Sequence, residues 1–93
     1  MSVLTPKQLD AELARFPGWS VEDGQITKKF KAPSFHRAVG FVTQIAILAE
    51  KAGHHPDIDI RYDTVVIALS THSEGGITEK DVALARKIDG AFE

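Results

Sequence analysis

Histidine is the residue type in this sequence whose placement most clearly suggests chemistry. An adjacent pair, His54 and His55, is followed directly by Pro56, and His72 comes after two short segments in which apolar and polar residues alternate. Alternation of this kind predicts two strands joined as a hairpin, whose open end would bring the three imidazoles together. Because proline cannot donate to a strand ladder, we expect pairing to end at Pro56, which lets both neighbouring histidines turn to one side.

The turn of this hairpin sets which histidines face each other. A two-residue turn at residues 63–64 places His55 opposite His72, whereas a turn that is longer or shorter by one residue places His54 opposite His72. The Cβ atoms of directly opposed residues lie roughly 4.5–5.5 Å apart, so either register predicts an imidazole cluster. The remaining histidine, His36, falls on the polar face of a predicted helix, and we interpret it as a bystander.

Two chemistries use such a cluster. Three imidazoles can bind Zn²⁺ and leave a fourth position open for water. Alternatively, neutral imidazoles can act as a metal-free acid and base, since each has one donor and one acceptor nitrogen and a pKa of about 6.5 when unperturbed. Adjacent histidines are awkward ligands for one metal ion, which favours the metal-free chemistry without deciding it. Glu50 and Asp81 could orient the rings, although Asp81 is also explained as a helix cap together with Thr78.

The elements that would position these residues follow from capping residues and periodicity. Thr5 and Pro6 begin a short helix, Ser34 caps a long helix that ends at the Gly53 terminator, and Thr78 caps the last helix. The predicted elements are a helix over 6–14, a hairpin from Trp19 to Phe30 turning at 23–24, a helix over 35–52, the second hairpin, and a helix from about 79. The order α-ββ-α-ββ-α predicts an α+β fold, in which a four-stranded antiparallel sheet carries three helices on one face.

The apolar residues of the long helix cover an arc about 180° wide, which is wider than a helix needs in order to cover one sheet. Phe35, Val39 and Val42 belong to this arc. It indicates either a deeply buried core helix or a helix that also meets a second subunit.

Composition excludes several other classes of function. The 93 residues predict one domain, 1–93, and the formal charge of -2 makes nucleic acid a poor candidate. With 0 cysteines there is no disulfide, thiolate zinc site, iron–sulfur cluster or thiol nucleophile. No signal-like start and no apolar run near 18 residues is present, so we expect no membrane contact and a cytoplasmic location.

The acidic, histidine and aromatic residues together resemble the pterin-4a-carbinolamine dehydratase family. The family pattern of an acid, His-His-Pro, an aromatic residue, His and Asp is matched by Glu50, His54-His55-Pro56, Tyr62, His72 and Asp81. Trp19 before the first hairpin and the stretches 70–72 and 75–81 extend the resemblance over nearly the whole chain. Ile58 is a departure, since relatives often carry tryptophan at that position.

The resemblance implies that the protein dehydrates a 4a-hydroxytetrahydropterin to the quinonoid dihydropterin and so recycles the cofactor of aromatic amino acid hydroxylases. It implies no metal or redox cofactor, and a homodimer or homotetramer. The catalytic residues would be His54, His55, His72 and Asp81, with His54 and His72 as acid or base. The pterin would be bound by Glu50, His54, His55, Pro56, Thr71, His72, Ser73 and Glu74, with Trp19 stacking at the rim. The alternative is a binding or assembly protein on the same fold, such as a transcriptional dimerisation partner or a chaperone-like scaffold.

Overall fold

Three helices and a four-stranded antiparallel sheet make up the computed structural model, which describes residues 3–92. In chain order the elements are α1 (Pro6–Leu13), β1 (Ser20–Glu22), β2 (Gln25–Lys31), α2 (Phe35–Ala52), β3 (Asp57–Arg61), β4 (Thr64–Leu69) and α3 (Glu79–Ala91), with a 3-10 turn at His72–Glu74. The strands lie in the order β1-β2-β4-β3, and every neighbouring pair is antiparallel. The predicted α-ββ-α-ββ-α order and α+β class are confirmed. No helix within residues 3–92 is both long and apolar enough to cross a membrane.

Each helix begins at the capping residue that the sequence predicts. The Thr5 hydroxyl accepts the backbone N–H of Gln8 at 3.1 Å, and the Gln8 carboxamide accepts the backbone N–H of Thr5 at 2.9 Å. Ser34 caps α2, and Thr78 caps α3. These contacts satisfy N–H groups that have no partner within the first turn of a helix. Because capping is local in sequence, the helix starts could be predicted from the residues alone.

The core lies between the sheet and the helices. In β4 the buried residues Val65, Ile67 and Leu69 alternate with partly exposed ones, so one face of the central strands packs against α2 and α3. Ile45 of α2 and Ile88 of α3 are fully buried. The chain leaves part of the α2 arc uncovered, including Phe35 and Val39, which are 52% and 43% exposed.

The register of the second hairpin differs from both predicted registers. Its turn is formed by Tyr62 and Asp63, because Arg61 pairs with Thr64, and the ladder ends where Asp57 faces Ala68. Tyr62 adopts a φ of 55°, a conformation that turn rules assign to glycine or asparagine rather than to tyrosine. The predicted pairing of either His54 or His55 with His72 is therefore wrong.

Contacts with β2 explain why the turn lies one residue earlier. The Lys31 ammonium lies 2.6 Å from the Asp63 carboxylate, and the backbone N–H of Ala32 donates to the Asp63 carbonyl at 2.8 Å. Thr64 pairs with Lys31 in the ladder and is a strand residue. These contacts join residues more than 30 positions apart, so local turn rules do not include them.

Candidate active site

His54 reaches the site because the long helix stops abruptly before it. Gly53 takes a left-handed conformation with φ 63° and ψ 31°, which ends α2, and the His54 N–H returns to the Ala49 carbonyl at 3.1 Å. The His54 side chain is 11% exposed, and its Nε2 lies 2.5 Å from Oδ1 of Asp81. The end of α2 and the beginning of α3 therefore meet through this pair.

Asp81 performs both tasks that the sequence left as alternatives. It is fully buried, and its Oδ2 accepts the backbone N–H of Thr78 at 2.9 Å as part of a capping box. The same oxygen accepts the hydroxyl of Thr71 at 2.8 Å. Oδ1 is the oxygen that faces His54. The carboxylate therefore caps α3 through one oxygen and binds the imidazole through the other.

His55 and Glu50 form a second pair, at the surface. The His55 Nε2 lies 2.7 Å from Oε1 of Glu50, and the two side chains are 65% and 79% exposed. Glu50 belongs to the last turn of α2, which brings its carboxylate back toward the residues that follow the helix. Since exposed pairs of this kind contribute little to stability, this one orients the His55 ring more than it holds the fold.

His72 approaches the other histidines from the end of β4. The chain leaves the strand, forms a bridge between Thr71 and Gly76, and places His72 at the start of the 3-10 turn. Gly75 ends this turn with a left-handed φ of 77°. The His72 side chain is exposed, unlike that of His54.

His54, His55 and His72 all line one cavity of about 260 Å³. Its lining also includes Thr71 and Ser73, which the sequence predicted, and Ser70 and Lys80, which it did not. The predicted cluster therefore forms, although through the loops beyond the hairpin rather than through direct pairing. Four other predicted site residues are not part of the lining, namely Glu50, Pro56, Glu74 and Asp81. Lys80 could have been predicted as a lining residue from the sequence, because it lies directly before Asp81 in the first turn of α3.

Trp19 does not lie with the histidines. It is 6% exposed, its indole N–H donates to both oxygens of Asp89 at 3.1 and 3.2 Å, and its ring packs 6.0 Å from that of Phe30. Asp89 follows Asp81 by eight residues on α3, which corresponds to about 12 Å along a helix axis. The expectation that Trp19 stacks at the rim of the pocket is therefore corrected: within this chain it is a core residue.

A larger cavity of about 560 Å³ lies between the beginning of α2 and the end of α3. Its polar lining includes His36, Arg37 and Gln44. Among residues 3–92 this cavity offers one imidazole, whereas the smaller cavity is lined by three histidines, so the pair of imidazoles that acid–base chemistry needs is found in the smaller one.

The chemistry available to the smaller cavity is proton transfer. An ionised Asp81 can only accept, so His54 donates from Nε2 and presents Nδ1 as the nitrogen that can accept a proton. His72 supplies a second imidazole and Lys80 a positive charge. Among residues 3–92 no group of three or more histidine and acidic side chains is arranged to hold a metal ion, so the zinc alternative has no ligand set there.

Comparison with known proteins gives a consistent assignment. The model of the pterin 4 alpha carbinolamine dehydratase family matches residues 2–91. A Chloroflexus aurantiacus protein, provisionally named pterin-4-alpha-carbinolamine dehydratase, is 52% identical over 89 residues, covering 96% of each chain. A Herpetosiphon aurantiacus protein with the same provisional name is 53% identical over 92 residues, covering 99% of this chain and 96% of its own.

Two solved structures share the fold. The crystal structure of a transcriptional coactivator/pterin dehydratase from Brucella melitensis has a TM-score of 0.93 and 39% identity, covering 99% of this chain and 100% of its own. A pterin dehydratase-like RuBisCO assembly factor of the alpha-carboxysome has a TM-score of 0.66 and 24% identity, covering 78% and 84%. The second likeness extends to the fold alone. With a family model that spans nearly the whole chain and relatives of about half identity at full coverage, the chain belongs to the pterin-4a-carbinolamine dehydratase family.

Proposed function

We propose that this protein catalyses the dehydration of a 4a-hydroxytetrahydropterin to the quinonoid dihydropterin and water. The observation that carries the proposal is that His54, which is paired with the buried Asp81, lines the same pocket as His72. Membership of the family supports the reaction class, since relatives of about 52% identity are named for this activity.

The reaction needs one acid and one base. A base removes the proton from the ring nitrogen next to C4a, and the electron pair of that N–H bond forms the carbon–nitrogen double bond. The C4a–oxygen bond breaks, and an acid protonates the departing hydroxide, so that water leaves. Positioned groups of this kind contribute roughly 10²–10⁴-fold in rate, and imidazoles are suited to both tasks near neutral pH.

The two imidazoles differ in burial, which suits them to different proton-transfer steps. His54 is nearly buried and held by Asp81, so it has one fixed orientation and an acceptor nitrogen. His72 is exposed and sits on a loop, where a bound substrate can order it. We assign proton removal to His54 and proton delivery to His72. His55, oriented by Glu50 at the rim, would hold the pterin ring.

The space around the histidines is sufficient for a substituted pterin. The histidine cavity of about 260 Å³ is below the usual range of ligand pockets, roughly 300–1,000 Å³. A second cavity of about 460 Å³ shares Ser70 and His72 with it. A substrate could therefore place its reacting ring against the imidazoles while the rest extends past His72.

The test is to generate a 4a-hydroxytetrahydropterin chemically and follow its dehydration by ultraviolet absorbance, with and without the purified protein and with a chelator present. We expect acceleration that survives the chelator. His54→Ala and His72→Ala should each lower turnover by at least about 10²-fold while the fold is kept. His36→Ala is the matched control, because His36 is exposed on the other side of α2 and should leave turnover unchanged. No acceleration by folded protein, or equal turnover in all three variants, would contradict the proposal.

A binding or assembly function on the same fold is the second candidate. The observation that favours it is the uncovered apolar surface of α2, where Phe35 stacks on Tyr62 with ring centroids 6.5 Å apart and Tyr62 is 73% exposed. A homodimer or homotetramer could use this surface, and its oligomeric state is measured by sedimentation equilibrium. Phe35→Ser should lower the association constant if the surface is an interface and leave it unchanged if it is not.

A further inference from the structure

Thr71 is buried where the sequence predicts a substrate contact. It is 3% exposed, and its hydroxyl lies 2.8 Å from Oδ2 of Asp81 and 2.8 Å from the hydroxyl of Thr78. A hydroxyl committed to two protein partners is not available to a ligand. What Thr71 can influence instead is the carboxylate that holds His54.

The directions of these hydrogen bonds follow from the number of protons. A carboxylate only accepts, so Thr71 must donate its single hydroxyl proton to Asp81. The proton between the two hydroxyls must then come from Thr78, whose oxygen in turn accepts the backbone N–H of Lys80 at 3.2 Å. The chain of donors therefore runs from the first turn of α3 through Thr78 and Thr71 and ends on Asp81.

Thr71 fixes the plane of the Asp81 carboxylate. Oδ2 is held by two donors that belong to different segments, the Thr78 N–H of the helix start and the Thr71 hydroxyl at the end of β4. With Oδ2 held from both sides, Oδ1 is fixed against Nε2 of His54. Without the hydroxyl, one donor remains on Oδ2 and the carboxylate can turn about it.

The backbone of Thr71 anchors the loop that carries the other imidazole. Its N–H donates to the Gly76 carbonyl at 2.8 Å, and its carbonyl accepts the N–H groups of Glu74 and Gly75, each at 3.0 Å. His72 is the next residue in the chain. One residue therefore acts on both halves of the acid–base pair. Its hydroxyl contacts the carboxylate that holds His54, and its backbone anchors the turn that carries His72.

We propose that Thr71 is a positioning residue, whose hydroxyl holds Asp81 so that His54 keeps its Nε2–H tautomer and its orientation toward His72. This deepens the proposed dehydratase function and rests on it for the effect on turnover. The hydroxyl itself does not touch the substrate. Its loss should therefore lower kcat and leave KM nearly unchanged.

The experiment compares Thr71→Val, which replaces the hydroxyl by a methyl group, with Thr71→Ser, which keeps the hydroxyl. We expect kcat to fall about tenfold or more in the valine variant, with KM within about twofold, and to recover in the serine variant. Ile88→Val is the matched control, since it lowers stability from a fully buried position on α3, seven residues after Asp81 and outside its hydrogen bonds. If the valine variant does not fold, Thr71→Ala offers the same comparison.

A second readout does not depend on turnover. The ¹⁵N chemical shifts of the His54 ring report which nitrogen carries the proton, and His36 serves as an internal reference. We expect the Nε2–H form in the parent protein and in Thr71→Ser, and an increased share of the Nδ1–H form in Thr71→Val. An unchanged tautomer in Thr71→Val overturns the positioning proposal, whatever the turnover. A parent protein without turnover overturns the dehydratase function, and the ring shifts then decide about Thr71 alone.

Discussion

Replacing Asp81 by asparagine should separate the chemistry of the carboxylate from its capping of α3. The side chain is fully buried and accepts three donors, one of them the imidazole of His54. Asparagine has nearly the same shape and can keep its oxygen toward Thr71 and Thr78. Its NH₂ group then faces Nε2 of His54, where two donors meet, so the ring must change its tautomer or move.

Asp81→Asn should cost a moderate amount of stability and a much larger share of turnover. Hydrogen bonds to a charged group contribute about 1.5–3 kcal/mol each and those between neutral groups about 0.5–1.5 kcal/mol, so we expect Asp81→Asn to lower the free energy of unfolding by about 2 kcal/mol. For a domain of this length that lowers Tm by roughly 10 °C. Turnover should fall by about 10²–10⁴-fold, because the base loses its acceptor nitrogen. Unfolding is followed by circular dichroism and turnover by the absorbance assay at 20 °C.

The chain contains a matched control in its other capping box. Gln8 occupies the same position in α1 that Asp81 occupies in α3, and it reaches back to Thr5 in the same way. Gln8→Ala removes such a contact without a histidine nearby, so we expect a stability loss of about 0.5–2 kcal/mol and unchanged turnover. Turnover near the parent value in folded Asp81→Asn would refute the assignment of His54 as a base held by the carboxylate.

Three further predictions concern the surroundings of the site. Glu50→Gln should change unfolding free energy by less than about 0.5 kcal/mol in denaturant titrations, because its pair with His55 is exposed; a larger loss would mean that the pair supports the fold. Gly53→Ala should cost about 1–2 kcal/mol in the same assay, since its φ of 63° penalises a Cβ; no cost would contradict the left-handed C-cap. The hydrogen bond and charge of Lys31 hold the pKa of Asp63 below its ordinary value, so Lys31→Met should raise that pKa in an NMR titration. Because the folded-state pKa is depressed, this stabilisation is present above the unfolded-state pKa and is lost as the pH falls through the folded-state pKa, so parent and variant should converge in acid.

The fold could be predicted wherever its signals are local. Thr5, Ser34 and Thr78 each cap a helix within three residues of themselves, and the Asp23–Gly24 turn joins β1 to β2 as expected. The turn of the second hairpin lies one residue before its predicted position, because Tyr62 accepts an unfavourable φ while Asp63 is held by Lys31 of β2 and by Ala32, the residue after it. Such contacts depend on which strands are neighbours, and a single strand pair does not reveal that.

The convergence of the three histidines could be predicted from the sequence, but the contacts around them could not. The histidines converge because the two strand ends at the open end of a hairpin lie close together whatever its register. A turn predicted one residue too late therefore still brings them together. The contact between His54 and Asp81 spans 27 positions and requires α2 to pack against α3, which the local pattern does not specify. Trp19 was misplaced for the same reason, since its indole partner Asp89 lies 70 positions away.

The double use of Asp81 has a consequence for how members of this fold diverge. A lineage that abandoned the chemistry would still be under selection to keep an acid at position 81, because the first turn of α3 depends on it. An acid there is thus weak evidence that a relative is still an enzyme. The fold does not require a histidine at position 72, since the side chain there is exposed. The hydrogen bond that holds the ring of His54 is the one to Asp81. If the proposed chemistry is right, imidazoles retained at both positions are the better sign of an active member, and we expect their joint loss beside a retained acid in members without dehydratase activity.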